Sequence, residues 1–532
     1  MHTANRLLTA AVLTALSTSA LAAGPAERAL GHLRANGAIA KAADGDAFIA
    51  RSVNVDADGT EHVRFDRTYR GMPVIGGDFV LHSRNGQVKG ANLTLNSASR
   101  PGLSGRISAA EATIVAGTEF GTDFTGVQEA RKVVFARNTS PRLAYEVVFT
   151  GTKRDQTPTE MHYFVDASTG KVLDRWDMVH TAKPAKPGGG STSCTSTTAA
   201  TGTGKTLYSG NVTVSTTNCG TSFQMKDQTR GGGYTTNMAN STRGSGTIFS
   251  DADNIWGNNS NSDAASVGAD AHFGIAATWD YYKNVHSRNG IANDGKGALS
   301  KVHYGRNYVN AYWSDSCFCM TFGDGDGVTY SPLVDLDVAG HEMSHGVMSR
   351  EANLTYSGES GGLNEANSDI FGTMVEFYAN NANDTPDYLI GEEIYIANVS
   401  GSPTQKALRY MYNPIKDTRS PNCYTSTLGS LDVHYSSGVA NHFFYLLAEG
   451  SGAKTYSGVD HTSPTCNGSS LAGIGRAKAE KIWYRAVAVY MTSSTNYAGA
   501  RVATINAAND LYGAGSAESS AVAATWTAVS VN

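Results

Sequence analysis

Two short segments carry the side chains best placed to do chemistry. The first is His341-Glu342-Met343-Ser344-His345. The second, about twenty residues on, is Gly361-Gly362-Leu363-Asn364-Glu365-Ala366-Asn367-Ser368-Asp369. On a helix, His341 and His345 lie four residues apart, so both imidazoles leave one face about a turn apart. Two such nitrogens can take adjacent corners of a tetrahedral zinc site, and Glu365 from a second helix can supply the third. The fourth corner then stays open for water, as in catalytic rather than structural sites. The histidine motif alone could be a helix with two surface histidines. The second segment argues otherwise, because Glu365 and Asp369 are again four apart and Leu363, Ala366, Ile370, Met374 and Phe377 follow helical spacing. The chemistry indicated is zinc-assisted hydrolysis of peptide bonds.

The elements that must position these groups follow from the pattern of the chain. Residues 24 to about 180 hold short alternating stretches, such as His62-Val63-Arg64-Phe65 and Phe79-Val80-Leu81, broken by turn signals including Asn85-Gly86. They read as a separate α+β unit without a metal or nucleophile constellation. A Pro-, Gly-, Ser- and Thr-rich stretch follows and reads as a proteolysis-prone linker. Its end, Gly202-Thr203-Gly204-Lys205-Thr206, has Ala199 where a phosphate loop needs glycine, so that reading fails. From about 205 the chain favours strands, with one amphipathic helix at 270–285. After Asp337 it turns helical, with helices expected at 438–448, 475–491 and 496–512. The implied class is α+β, a β-rich lobe joined to a helical lobe, and a cleft between lobes suits a polymeric substrate.

The chain has 532 residues, a net charge of −5 and 17% charged residues, which leaves no basic footprint for nucleic acid. Residues 1–22 read as an export signal: a weakly basic start, an apolar run from Leu7 to Leu21, and a small-x-small cleavage pattern at Ala20-Leu21-Ala22. No segment reads as a membrane span. Six cysteines in an exported chain suggest disulfides. Proximity favours Cys194 with Cys219 and Cys423 with Cys466, leaving the tight pair Cys317 with Cys319.

With those residues in view, the chain resembles the thermolysin family of zinc neutral peptidases. The resemblance rests on His341-Glu342-x-x-His345, Glu365-x-x-x-Asp369, Asn310-Ala311-Tyr312-Trp313, Asp270-Ala271-His272 before Tyr281-Tyr282-Lys283, and Asp432-Val433-His434. These run in order from about 200 to 532, and the cysteines with Asp432 to Gly438 look most like the exported elastase-like and vibriolysin-like branch. A metzincin would need glycine at 348 and histidine at 351, where this chain has Met348 and Glu351. The organisation so implied is a signal peptide (1–22), a folding-assisting and inhibitory propeptide (23–180), a linker with the mature amino terminus (181–204), a β-rich lobe (205–340) and a helical lobe (341–532).

The resemblance also implies roles. His341, His345 and Glu365 would hold zinc, Glu342 would act as general base, and Asp369 would accept a hydrogen bond from His341. Tyr356 and His434 would donate to the oxyanion, with Asp432 orienting His434. Asn310, the carbonyl of Ala311 and Arg409 would hold substrate backbone. Tyr330, Leu333, Val338 and Leu408 would wall an apolar pocket, so cleavage is expected before large hydrophobic residues. Asp337, Glu376, Asp387 and the carbonyl of Leu389 map to one calcium site, although Thr373 stands where the close branch often has glutamate. The expected protein is a secreted, monomeric endopeptidase whose partners are protein substrates and its own propeptide. The rival reading is a catalytically silent secreted binding protein that keeps the metal.

Overall fold

The computed structural model describes residues 23–121, 124–179, 194, 197–396 and 406–532. The expected export signal, most of the linker and the region of the processing bond lie outside the described residues.

The leading unit is built on a ten-stranded sheet made of two halves, which meet where Met72–Ile75 runs parallel to Arg131–Phe135. Each half has its own helix and core. Pro25–Ala35 lays Ala29 and Leu33 against Phe65, Phe79 and Leu81. Ala109–Phe120 lays Ala112 and Ala116 against Tyr145, Val147 and Phe149. The second helix starts where it does because Ser108 and Glu111 form a reciprocal capping box. Asn85 and Gly86, at φ of 50° and 72°, close the hairpin that pairs Arg84 with Gln87. Both residues lie in the left-handed region, which is why Asn-Gly signals that turn.

The second part of the chain begins with strands earlier than expected. Thr198–Lys205, placed by composition in the linker, pairs with Asn211–Asn218. Its alanine, glycine and threonine content resembles a flexible tether, and only the partner strand turns it into sheet. The helix expected at 270–285 runs from Ala264 to His286, because Asp263 caps the amide of Ala265 six residues before the apolar pattern becomes readable. The helix Arg476–Arg485 passes into a π turn, Ala486–Tyr490. A final helix, Ala517–Ala528, was not expected from the sequence, since its small residues show little amphipathic contrast; Trp526 anchors it by stacking on Phe443. Among the described residues no helix is long and apolar enough to cross a membrane.

Two helices set the site. The motif helix, Leu336–Arg350, and the ligand helix, Gly358–Ala379, press together at Gly340 and Gly372. A Cβ on Gly372 would lie 2.5 Å from the carbonyl oxygen of Asp337, so only glycine permits this approach. The strand Ala311–Ser314 is the edge of a six-stranded sheet and packs close to the motif helix. The cysteines pair as Cys194–Cys219, Cys317–Cys319 and Cys423–Cys466.

Candidate active site

His341 and His345 sit on one face of the motif helix, buried, with their rings tilted edge to face. Each is fixed from behind by the ligand helix. His341 Nδ1 donates to Asp369 Oδ1 at 2.9 Å. His345 Nδ1 lies 2.8 Å from Asn364 Oδ1, and the amide of Asn364 is oriented by its own bond to the carbonyl of Leu354. With both Nδ1 atoms donating, two neutral rings turn their Nε2 lone pairs toward one another, 3.0 Å apart. Two lone pairs at that distance repel unless a proton or a cation lies between them. Glu365 completes the set: its carboxylate oxygens are 3.6 Å from His341 Nε2 and 3.3 Å from His345 Nε2. The two nitrogens of one tetrahedral zinc ion lie about 3.3 Å apart. These three side chains therefore fit the ion the motif implies.

Electrostatics around the trio are balanced. Burial alone would raise Glu365, but His434, His345 and His341 outweigh it and hold the carboxyl well below its ordinary range. Asp369 is likewise held down against its burial, chiefly by Arg409, which grips it in a fork of 2.8 Å and 2.5 Å. Asn441 adds a third donor to Asp369 at 2.7 Å. Glu342 lies one residue past His341, is buried, and its Oε2 has no partner among the described residues. Burial pushes its carboxyl upward.

Tyr356 and His434 stand on the other side. The Tyr356 hydroxyl donates to Glu365 Oε1 and lies 3.2 Å from His434 Nε2. His434 Nδ1 is 2.8 Å from Asp432 Oδ1, which also accepts the backbone amide of His434. Both side chains of that pair are about half-exposed, as groups that meet a ligand must be.

The other residues singled out in the sequence are distributed around this centre. Ala311 lies on the sheet edge, and the Asn310 side chain accepts the amide of Ala311. Val338 lies one turn before His341, buried beside Met343 in the core of the β-rich lobe. Leu333 is buried, and Tyr330 packs on Tyr395 at 4.9 Å between ring centres. Leu408 precedes Arg409 and rests against Gly391; residues 397–405, between Tyr395 and Leu408, lie outside the described residues.

The second acidic group assembles at the far end of the ligand helix. Glu376, Asp387 and Glu392 bring carboxylate oxygens within 4.8 Å of one another. Neither oxygen of Glu376 has a partner among the described residues, and the same holds for Asp335. Asp337 accepts the amide of Gly391 at 2.8 Å, and Asp387 accepts the amide of Leu389. Thr373 spends its hydroxyl on the sulfur of Met411 rather than on this cluster. Sequence reasoning missed Glu392, Asp384 and Asp335 here, and Asn441 at the zinc trio. The acidic run through Asp384, Asp387, Glu392 and Glu393 was a usable signal for the first group; nothing local marked Asn441.

The comparisons with known proteins bear on the whole chain. Residues 201–349 match the family model described as thermolysin metallopeptidase, catalytic domain, and 352–531 match its alpha-helical domain. Residues 46–95 match the fungalysin/thermolysin propeptide motif, and 106–176 the peptidase propeptide and YPEB domain. The chain is 48% identical over 492 residues to a transglutaminase-activating metalloprotease of Streptomyces mobaraensis, covering 91% of this chain and 61% of that protein. It is 38% identical over 493 residues to thermolysin of Alicyclobacillus acidocaldarius, covering 88% and 83% respectively. It is 37% identical over 511 residues to bacillolysin of Bacillus cereus, covering 92% and 85%. With the propeptide and both peptidase lobes matched in order, the chain belongs to the thermolysin family of metallopeptidases.

Proposed function

We propose that this protein is an exported zinc endopeptidase that cuts proteins before large hydrophobic residues, with His341, His345 and Glu365 as metal ligands and Glu342 as general base. The observation that carries the reading is the pair of imidazole nitrogens facing each other at 3.0 Å beside a buried carboxylate. Zinc bound there supplies Lewis-acid activation of water and of the scissile carbonyl. The protein's own groups do the rest. Glu342, with a free oxygen in a buried setting, takes the proton of the attacking water and returns it to the departing amine. Tyr356 and His434 donate to the oxygen that gains charge, and Asp432 keeps the His434 ring turned toward it. Asp369 and Asn364 hold the ligand histidines by their Nδ1 atoms.

Substrate backbone adds to the sheet edge at the half-buried Ala311, a docking mode that main-chain bonds make sequence-tolerant. Arg409 Nη1, outside the fork on Asp369, reaches a substrate carbonyl. Tyr330, Leu333, Val338 and Leu408 set the apolar preference. Asp337, Glu376, Asp387 and the carbonyl of Leu389, joined by Glu392, hold a calcium ion, for which the unpartnered oxygens of Glu376 and Glu392 are appropriate donors. Three disulfides suit an oxidising compartment outside the cell.

Casein hydrolysis by purified Glu342→Gln protein tests the base. The expected loss is about 10²- to 10⁴-fold with folding intact. Activity within threefold of wild type rejects Glu342 as the base, and only a wild-type protein that leaves casein intact revives the silent binding protein.

A further inference from the structure

The first propeptide unit is clamped to the helical lobe where the π turn ends. The buried Arg64 guanidinium donates to the carbonyls of Met491, Ala488 and Val487 at 2.7, 3.2 and 3.3 Å. Asp78 takes the amide and hydroxyl of Ser493. Beside this clamp a crevice of about 810 Å³ separates the two bodies, and His62 and His82 lie on its floor.

These histidines are cross-strand partners whose Nδ1 atoms are 2.7 Å apart. His62 Nε2 lies 2.9 Å from Asp56 Oδ2, and His82 Nε2 2.8 Å from Asn92 Oδ1. A carboxylate only accepts, so His62 carries a hydrogen on Nε2. One hydrogen fits between the two Nδ1 atoms; two cannot, because doubly charged rings would point N–H at N–H across 2.7 Å. The helical lobe seals this arrangement. Tyr490 covers both rings, with its ring centre 5.4 Å from that of His82 and 6.5 Å from that of His62. Arg485 grips Asp56 through both Nη atoms and comes within 3.4 Å of His62 Nε2. Arg64 on the propeptide side adds a second nearby cation, while Asp510 is engaged by Arg485 and Tyr490. Asp58 and Lys89 stand at the margins of the crevice.

We propose that the His62–His82 pair is an acid-opened latch between propeptide and peptidase: docking tolerates one shared proton, and a second proton drives the first propeptide unit off the 486–494 segment. Burial holds His82 down to about 4, against its bond to Asn92. A histidine released to water titrates near 6.5. The docked pKa is the lower one, so the latch contributes in full above about pH 6.5. That contribution is lost as pH falls toward 4, by about tenfold per unit.

Hydrogen exchange on the full chain tests this, using Glu342→Gln protein so that it does not cut itself. Protection of segment 486–494, corrected for intrinsic rates and referred to the motif helix, should fall about 10- to 30-fold between pH 7.5 and 5.0. With His82→Gln, which cannot take up a proton, it should change less than threefold. A pH-independent ratio in the parent protein, or an equal fall in the His82→Gln protein, overturns the latch. Should His82→Gln fail to fold, NMR titration of the parent histidines decides: one of the pair should stay uncharged below pH 5, and two independent titrations near 6.5 overturn the proposal.

Discussion

The ligand helix, Gly358–Ala379, carries two buried carboxylate centres, and they are opposites. Around Glu365 stand histidines and a tyrosine, and the next carboxylate along, Asp369, is gripped by Arg409 and Asn441. The charges that act most on Glu376 are those of further acids: Glu392, Asp384, Asp337 and Asp387. The first centre is held ionised by the protein's own donors, so Glu365 stays well below the ordinary range. The second is pushed the other way, because burial and mutual repulsion both penalise charge: Asp384 rises to about 8, Asp387 to about 7 and Asp337 to about 6. One end of the helix is preorganised before any metal arrives. At the other end, burial and mutual repulsion favour protonated carboxyls, Asp384 more than Asp387 or Asp337. A catalytic site must keep its shape through every exchange of substrate, whereas a structural cation belongs to the fold itself.

Several experiments sharpen or break that contrast. Glu342→Gln should remove hydrolysis by the factor given above while leaving the melting temperature within about 2 °C, since the change is isosteric. A large drop in stability would show that Glu342 supports the fold. Asp369→Asn should weaken zinc retention and activity by about 10- to 100-fold, because the His341 ring loses its charged acceptor. Dialysis against a zinc chelator followed by metal analysis checks this, and wild-type retention would place Asp369 outside the zinc centre's support. Gly372→Ala, set between the two centres, should cost about 1–3 kcal/mol by forcing the helices apart. Urea unfolding measures it, and a neutral effect would contradict the close contact.

The smallest effect concerns pH. Without cation, the acids near Glu376 have folded-state pKa values above their unfolded values near 4. The folded state therefore holds extra protons, and stability falls as pH rises from about 4 to about 8. A calcium chelator should lower the melting temperature by about 5 °C more at pH 8 than at pH 5.5. An equal or larger penalty in acid would break the comparison.

What was legible from the sequence was whatever repeats locally. The i, i+4 spacing of His341 with His345 and of Glu365 with Asp369 survives because a helix converts sequence distance directly into direction. The thermolysin-like organisation and the α+β class followed from several such segments in order. The Asn85-Gly86 turn between strands was equally readable, because a turn is chosen by its own residues. Composition misled at Thr198–Lys205, where strand pairing rather than propensity made the structure.

By itself, the sequence determined which donor atoms the protein possesses and which of them share a helix face, for these depend on backbone geometry over a few residues. Only the tertiary structure decided that Asn441 meets Asp369 across 72 positions, that the acids from 335 to 392 converge, and that His62 lies beneath Arg485 across 423. No local spacing encodes such meetings; they arise when buried surfaces close and bring polar groups from distant parts of the chain together.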